Sequence, residues 1–209
     1  MIDKKKQFSI TLLRFVPESF VEYVVELILE AKVIFKIVPG RATKLGDFRV
    51  KSEGEKPTIS VNGDLNKYAF LITTLHELAH LQTYRKYGNR VAPHGIEWKN
   101  SFRSLLENIL VSKNLPEDLE KALWKSFTNT KASSCSDINL SRVLKKYDAP
   151  SNHISLEEIP VSANFSLNGR AFEKGLLRRS RYLCKELRSG KQFLIHALAT
   201  VQLIKPYEE

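Results

Sequence analysis

The chain is predicted to be an α+β protein, with a helical domain organised around one buried helix and a small sheet, followed by a small antiparallel β module. Three observations carry that expectation. From Tyr68 through Leu81 the residues are apolar nearly all round, as in a helix sunk in a core. Ahead of it, residues 33–38 are β-branched and aromatic and end at Pro39-Gly40, and residues 45–50 and 58–61 look like two further strands. Beyond Asp137, helical spacing gives way to short segments punctuated by Asn168-Gly169 and Ser189-Gly190, dipeptides that favour hairpins.

Each element has a local reason. Residues 17–32 place Phe20, Val21, Val24, Val25, Leu27, Ile28 and Ala31 at helical spacing. Residues 33–38 form a strand stopped by Pro39-Gly40, and the runs at 45–50 and 58–61 are joined across a polar, turn-like segment. Asn62-Gly63-Asp64 marks a turn, after which Asp64 or Asn66 can cap the long helix. Gly88-Asn89 ends that helix. Another begins at Gly95, with Trp98, Phe102, Leu105, Leu106 and Ile109 on one face, and Pro116 opens one that runs to Phe127. The Ser-, Thr-, Asn- and Lys-rich stretch 128–137 reads as a boundary, giving a domain over 1–129 and a tail over 130–209. Residues 138–147 read as a short helix, and the rest of the tail as strands at 165–167, 170–173, 178–187, 191–196 and 200–204.

Composition narrows the class. With 209 residues, 43% hydrophobic and 27% charged, the chain has the make-up of an ordinary globular protein with a sizeable core. No apolar run has the length of a membrane span, so no membrane association is expected. Lys4-Lys5-Lys6 is not followed by the apolar core of a secretory signal. The two cysteines, Cys135 and Cys184, stand far apart, and the expected location is cytoplasmic. Thirty-three Lys and Arg against 23 Asp and Glu leave a net charge of +10, which suits a polyanionic partner, most simply nucleic acid.

The buried helix contains His76-Glu77-Leu78-Ala79-His80, an H-E-x-x-H motif. Residues four apart lie one above the other on a helix, so His76 and His80 present two imidazoles to one point. Neutral imidazoles are zinc ligands, and burying them with a carboxylate in an apolar helix is costly without a partner such as a metal. Glu77 projects roughly 100° around the helix from His76, beside the metal axis, where it can take a proton from water activated by the metal. Two histidines under-ligate zinc. His94, 14 residues after His80, is the nearest further histidine, with Glu97 and Glu107 as rival ligands.

Leu45-Gly46-Asp47-Phe48-Arg49, Ile59-Ser60-Val61-Asn62, His76-Glu77-Leu78-Ala79-His80 and His94-Gly95-Ile96-Glu97-Trp98-Lys99 together resemble the SprT-like family, whose eukaryotic relative is Spartan. The resemblance covers residues 17–129 and, more weakly, the tail. It implies a zincin-like metalloprotease domain with one Zn2+ on His76, His80 and His94 and with Glu77 as base. It also implies a protein or peptide substrate, in Spartan-type members a protein crosslinked to DNA, with DNA as activator. The family's C-terminal zinc ribbon is degenerate here: Cys135, Cys184, His153 and His196 lack paired spacing, and the tail is expected to be ribbon-like without metal.

Residues 170–191 of the tail carry eight cations against two acids. Arg178, Arg179, Arg181, Lys185 and Lys191 are candidate phosphate-binding residues, with Tyr182 as a candidate base-stacking residue. Two functions follow. The first is a zinc endopeptidase, with Tyr84, Tyr87 or Arg90 as the donor to the oxyanion; the second is a nucleic-acid-binding protein whose zinc site is structural or latent. An intact Glu77 favours the first, because a structural metal does not need it.

Overall fold

The computed structural model describes residues 2–41, 43–51, 54–128, 137–150 and 154–204. The chain is α+β and divides into two compact units, Met1–Ala149 and Pro150–Glu209.

In the first unit, α1 (Ile2–Leu12) and α2 (Val21–Glu30) pack together ahead of a three-stranded sheet. That sheet has the order β1 (Ile34–Val38), β3 (Thr58–Asn62), β2 (Gly46–Arg49). β1 is parallel to β3 and β2 antiparallel to it, so β2 is an edge strand. Residues 2–12 show no clear helical pattern in the sequence, yet they fold as α1, with Leu12 fully buried and Phe8 edge-on to Phe35. Asn62, 2% exposed, ties the loop before β2 in place by donating to the carbonyls of Arg41 and Lys44 while accepting from Arg41 Nε.

α3 (Lys67–Tyr87) starts where Asn66 accepts the amide of Ala69, so Asn66 rather than Asp64 is the cap. It stops at Gly88, whose φ of 63° belongs to the left-handed region glycine enters at little cost. Thirteen of its residues are buried, in keeping with a helix that is apolar all round. α4 (Ile96–Val111) lies along α3 through Trp98, Phe102, Leu105, Leu106 and Ile109, and α5 (Glu117–Thr128) follows.

The first unit runs past the boundary expected at 129/130, whose flanking residues 129–136 lie outside the described ones. α6 (Ile138–Lys145), capped by Asp137, packs on α5 and α3, burying Leu140 in the same core. Asn66 holds it by donating to Leu144 O at 2.9 Å and Asp148 Oδ1 at 2.6 Å. Tertiary packing, not composition, decides which unit this helix joins.

The second unit is an antiparallel β module. Its strands are β4 (Ile154–Ser155), β5 (Asn164–Leu167), β6 (Arg170–Glu173), β7 (Leu177–Arg178), β8 (Arg181–Glu186), β9 (Gln192–His196) and β10 (Thr200–Leu203). The order is β4-β10-β5-β6-β8-β7, with β9 on β8. The single segment expected over 178–187 is broken at Arg179, whose φ is 59°. Leu156, Phe165, Phe172, Cys184, Ile195 and Val201 form its core. Lys174, 3% exposed, donates to Glu157 O at 3.3 Å and Ile159 O at 2.5 Å, and its ammonium sits 4.0 Å from the Tyr182 ring centre.

Candidate metal centre

Three side chains from two elements converge beside β2. His76 and His80 are one turn apart on α3, and His94 stands immediately before Gly95, the cap of α4. His94 adopts φ 60°, a left-handed conformation uncommon for residues with a side chain. Gly95 lets the chain turn closely there, since a Cβ on it would lie 2.9 Å from Ala92 O. The connection after Gly88 thereby returns His94 to the face of α3 that carries His76 and His80.

The three Nε2 atoms form a triangle with every side 3.1 Å. Four-coordinate zinc with bonds of about 2.0–2.1 Å sets its ligands roughly 3.3–3.4 Å apart, so the spacing suits a metal within a few tenths of an ångström. Protons alone serve such a triangle poorly, because a ring nitrogen that donates has no lone pair left to accept. Burial pushes His76 down to about 3 and His80 down to about 4, and it lowers His94 as well; the neighbouring imidazoles add to the first two shifts. The rings are therefore neutral near pH 7, with lone pairs to give. These three histidines could hold a metal ion, and they are the cluster of metal-ligating type found among the described residues. Glu97 and Glu107, the rival ligands, do not join it; Glu107 is exposed on α4.

An apolar cage surrounds the cluster. The Trp98 ring centre lies 4.6 Å from His76, 4.7 Å from His94 and 5.4 Å from His80, and it stacks on Phe102 at 5.0 Å. Phe48 lies parallel to His80 at 6.5 Å. This wall keeps water from the back of the site and raises the cost of charge there.

Glu77 is 6% exposed and accepts the backbone N–H of Phe48. Burial pushes its carboxyl up to about 8, with the Asp47 carboxylate adding to the rise, and Arg41, Lys44 and the Phe48 amide opposing it. Asp47 is itself held by Lys44 at 2.9 Å and Arg49 at 2.5 Å. Gly46 brings the strand this close: a Cβ there would lie 2.4 Å from Glu77 Oε1 and 2.7 Å from Thr73 Cγ2. Gly46 and Trp98 stand within motifs of the sequence that assign neither of them a role. A glycine at the start of an edge strand facing a conspicuous carboxylate is the signal that could have found the first.

A cavity of about 510 Å3 opens onto His76, Glu77, His80 and His94, between β2 and α6. A second, of about 380 Å3, shares Phe48 and His80 with the first and is lined by Tyr84, Val91 and Trp98 among others. Of the three candidate oxyanion donors, only Tyr84 lines these cavities, one turn beyond His80 and 5.8 Å from the Phe48 ring.

The tail candidates lie in the second unit. Arg178 pairs with Arg181 across β7 and β8, and Arg181 with His196 across β8 and β9, so these three share one sheet face, with Lys185 further along β8 on the same side. All four are exposed, as are Arg179 and Lys191. Tyr182 does not join them. Strand alternation sends it to the opposite face, where it packs half-buried on the core, along with the fully and partly buried Phe172 and Phe193. Cys184 is buried in that core, while Cys135 and His153 lie outside the described residues.

No protein-family model, no curated protein and no solved structure matches the chain.

Proposed function

We infer that the protein is a zinc-dependent endopeptidase of the SprT-like, zincin type, acting on a protein or peptide substrate. The observation that carries this reading is the 3.1 Å triangle of His76, His80 and His94 Nε2 atoms with the Glu77 carboxyl beside it at the head of a cavity. Zinc is the natural choice for three neutral imidazoles, and a three-residue set is the pattern of a site that keeps a position open. Bound there, zinc would supply Lewis acidity, activating water near neutral pH and polarising a peptide carbonyl.

The protein's own groups do the rest. With zinc bound, its charge would favour the carboxylate over the acid form that burial favours in the metal-free site, and Glu77 would take the proton that water gives up and pass it to the leaving amine. The Phe48 amide fixes the direction of that carboxyl, and Gly46 leaves the room for it. Trp98 and Phe48 keep the imidazoles in place and the back of the site dry. Two cavities that share His80 and Phe48 in their walls suit a polypeptide laid across the site, as cleavage within a chain requires. The alternative, a structural metal in a nucleic-acid-binding protein, gives neither Glu77 nor the cavity a task. Substrates associated with DNA remain part of the proposal through the exposed Arg178, Arg181 and Lys185 face.

The test is metal analysis paired with proteolysis of an unfolded protein substrate, with and without single-stranded DNA. One zinc per chain and cleavage abolished in Glu77→Gln are expected, since a general base contributes about 10²–10⁴-fold. A zinc-loaded wild type and a Glu77→Gln variant that cleave equally would refute it.

A further inference from the structure

The larger cavity has a wall that the metal site does not need. One side is the edge of β2, and the floor is Ile72 and Thr73, one turn before His76 and Glu77 on α3. The facing side is α6, which turns Ser141 and Leu144, three residues apart and so on one face, into the cleft. We propose that this part of the cleft is a subsite for a bulky apolar side chain of the substrate, with Leu144 as its specificity-determining wall. The proposal rests on the peptidase reading and gives it a substrate preference.

The lining supports it. Leu45, Phe48, Ile72 and Leu144 supply the surface, and the methyl groups of Thr43 and Thr73 extend it. Apart from Glu77, the charged groups are Lys44 and Asp47, paired at 2.9 Å, with Arg49 also on the Asp47 carboxylate. A charged substrate side chain entering there would lose water and find no free counter-charge, whereas an aliphatic or aromatic one loses nothing. A chain extended beside β2 points alternate side chains the same way, so the preference falls at one fixed position relative to the scissile bond.

The wall is fixed, not a loose flap. Leu144 O accepts from Asn66 Nδ2 at 2.9 Å, so the residue that caps α3 also holds the end of α6. Tyr147 donates to Asp118 Oδ1 at 2.5 Å and meets Tyr68 edge-on at 4.7 Å, and Lys146 pairs with Asp118 at 3.2 Å. α6 is thereby tied to α3 and α5, and a preformed subsite binds without an ordering cost.

The test uses the full zinc-loaded chain and three peptidyl hydroxamates that differ only in the side chain next to the zinc-binding group: hydrogen, isobutyl or aminobutyl. Affinity is read by calorimetry, so no turnover is needed, and cleavage of a mixed peptide library is profiled in parallel. Wild type should bind the isobutyl compound about 10–100-fold tighter than the hydrogen one and cut next to Leu, Met or Phe at a single position. Leu144→Ala should shrink that ratio several-fold. Leu144→Glu should reverse it in favour of aminobutyl and move the cleavage profile to Lys and Arg, a gain that damage to the fold cannot produce. Equal affinity for the hydrogen and isobutyl compounds in wild type, or a ratio unchanged in Leu144→Ala, overturns the subsite while leaving the metal reading intact. If no hydroxamate binds, the metal reading fails and the subsite falls with it.

Discussion

Gly46→Ala tests how tightly β2 and the proposed base are coupled. The added methyl would sit 2.4 Å from Glu77 Oε1, 2.8 Å from Glu77 Cγ and 2.7 Å from Thr73 Cγ2. Thr73 is 9% exposed on a buried helix, and Glu77, 6% exposed, can yield only by swinging its carboxyl into the cavity and away from the Phe48 amide. Overpacking of this kind costs typically ~1–3 kcal/mol. For a unit of about 150 residues that lowers Tm by roughly 2–12 °C. Displacing a reacting group by about 1 Å costs on the order of 10²-fold in rate. Gly46→Ala should therefore keep its zinc, because the three atoms nearest the new methyl belong to Glu77 and Thr73 and none to a histidine, and lose about 10²-fold in kcat with little change in KM. Adding Thr73→Ser removes the clash with Cγ2 and should restore part of the lost Tm without restoring kcat, because the clash with Glu77 persists. Metal analysis, calorimetric melting and peptide cleavage rates read all three. A Gly46→Ala protein with kcat within about threefold of wild type would sink the argument that this glycine positions Glu77.

Three further outcomes are expected. His76→Ala, His80→Ala and His94→Ala should each lose zinc on dialysis while Glu97→Ala and Glu107→Ala retain it; zinc retained by His94→Ala would remove that residue from the ligand set. The metal-free protein should lose stability in acid. His76 and His80 titrate near 3 and 4 when folded but near 6.5 unfolded, so their contribution is complete above about pH 6.5 and falls as pH drops towards 4, by at most about 1.4 kcal/mol per pH unit for each; Glu77, raised to about 8, works the other way between about pH 8 and 4.5 and offsets one of the two. Urea titrations at about pH 7, 5.5 and 4.5 that give the same unfolding free energy would contradict this. Reversing Arg178 and Arg181 to Glu should weaken single-stranded DNA binding and flatten its salt dependence by about 0.7 log units for each phosphate released, whereas Tyr182→Phe, on the other face, should change neither; an unaltered slope in the Arg variant would mean that this face only meets solvent.

The legible parts of the fold are those whose cause is local. α3 announces itself by an apolar circumference, a capping Asn66 and a terminating Gly88, all within one stretch of chain. In the first sheet β1 and β3 are marked by β-branched runs with Pro39-Gly40 and Pro57 beside them, whereas β2, Gly46–Arg49, contains no β-branched residue. His76 and His80 follow from helix geometry alone, and His94 from its nearness along the chain. What escapes the sequence depends on distant neighbours. Gly46 matters because of Glu77, 31 residues later, and α6 belongs to the first unit because of Asn66, 78 residues before Leu144. The turn at Arg179-Ser180 has no Gly, Pro or Asn to mark it, so β7 and β8 read as one strand. Tyr182 has the right composition around it for stacking, but the phase of β8 puts it with Cys184 and not with Arg181.

The polar content of α3 shows why the histidine cluster, rather than the rest of the helix, points to chemistry. A helix with thirteen buried residues can keep polar groups only where each has a partner. Thr74 and Thr83 meet that need within the helix, donating to Phe70 O at 2.9 Å and Ala79 O at 2.8 Å. Glu77 meets part of it across the gap to β2, at the Phe48 amide. The three imidazoles instead turn their Nε2 atoms towards one another at 3.1 Å, an arrangement that a shared cation satisfies at all three atoms. His94 reaches it only by taking a left-handed backbone conformation, which costs on the order of 1 kcal/mol or more. Lys32, Lys113, Ser162, Asn168 and Arg179 adopt the same conformation, so it is the convergence and not the strain that sets His94 apart. The buried convergence of three imidazoles beside one carboxyl therefore marks the place on α3 where a metal ion could be held.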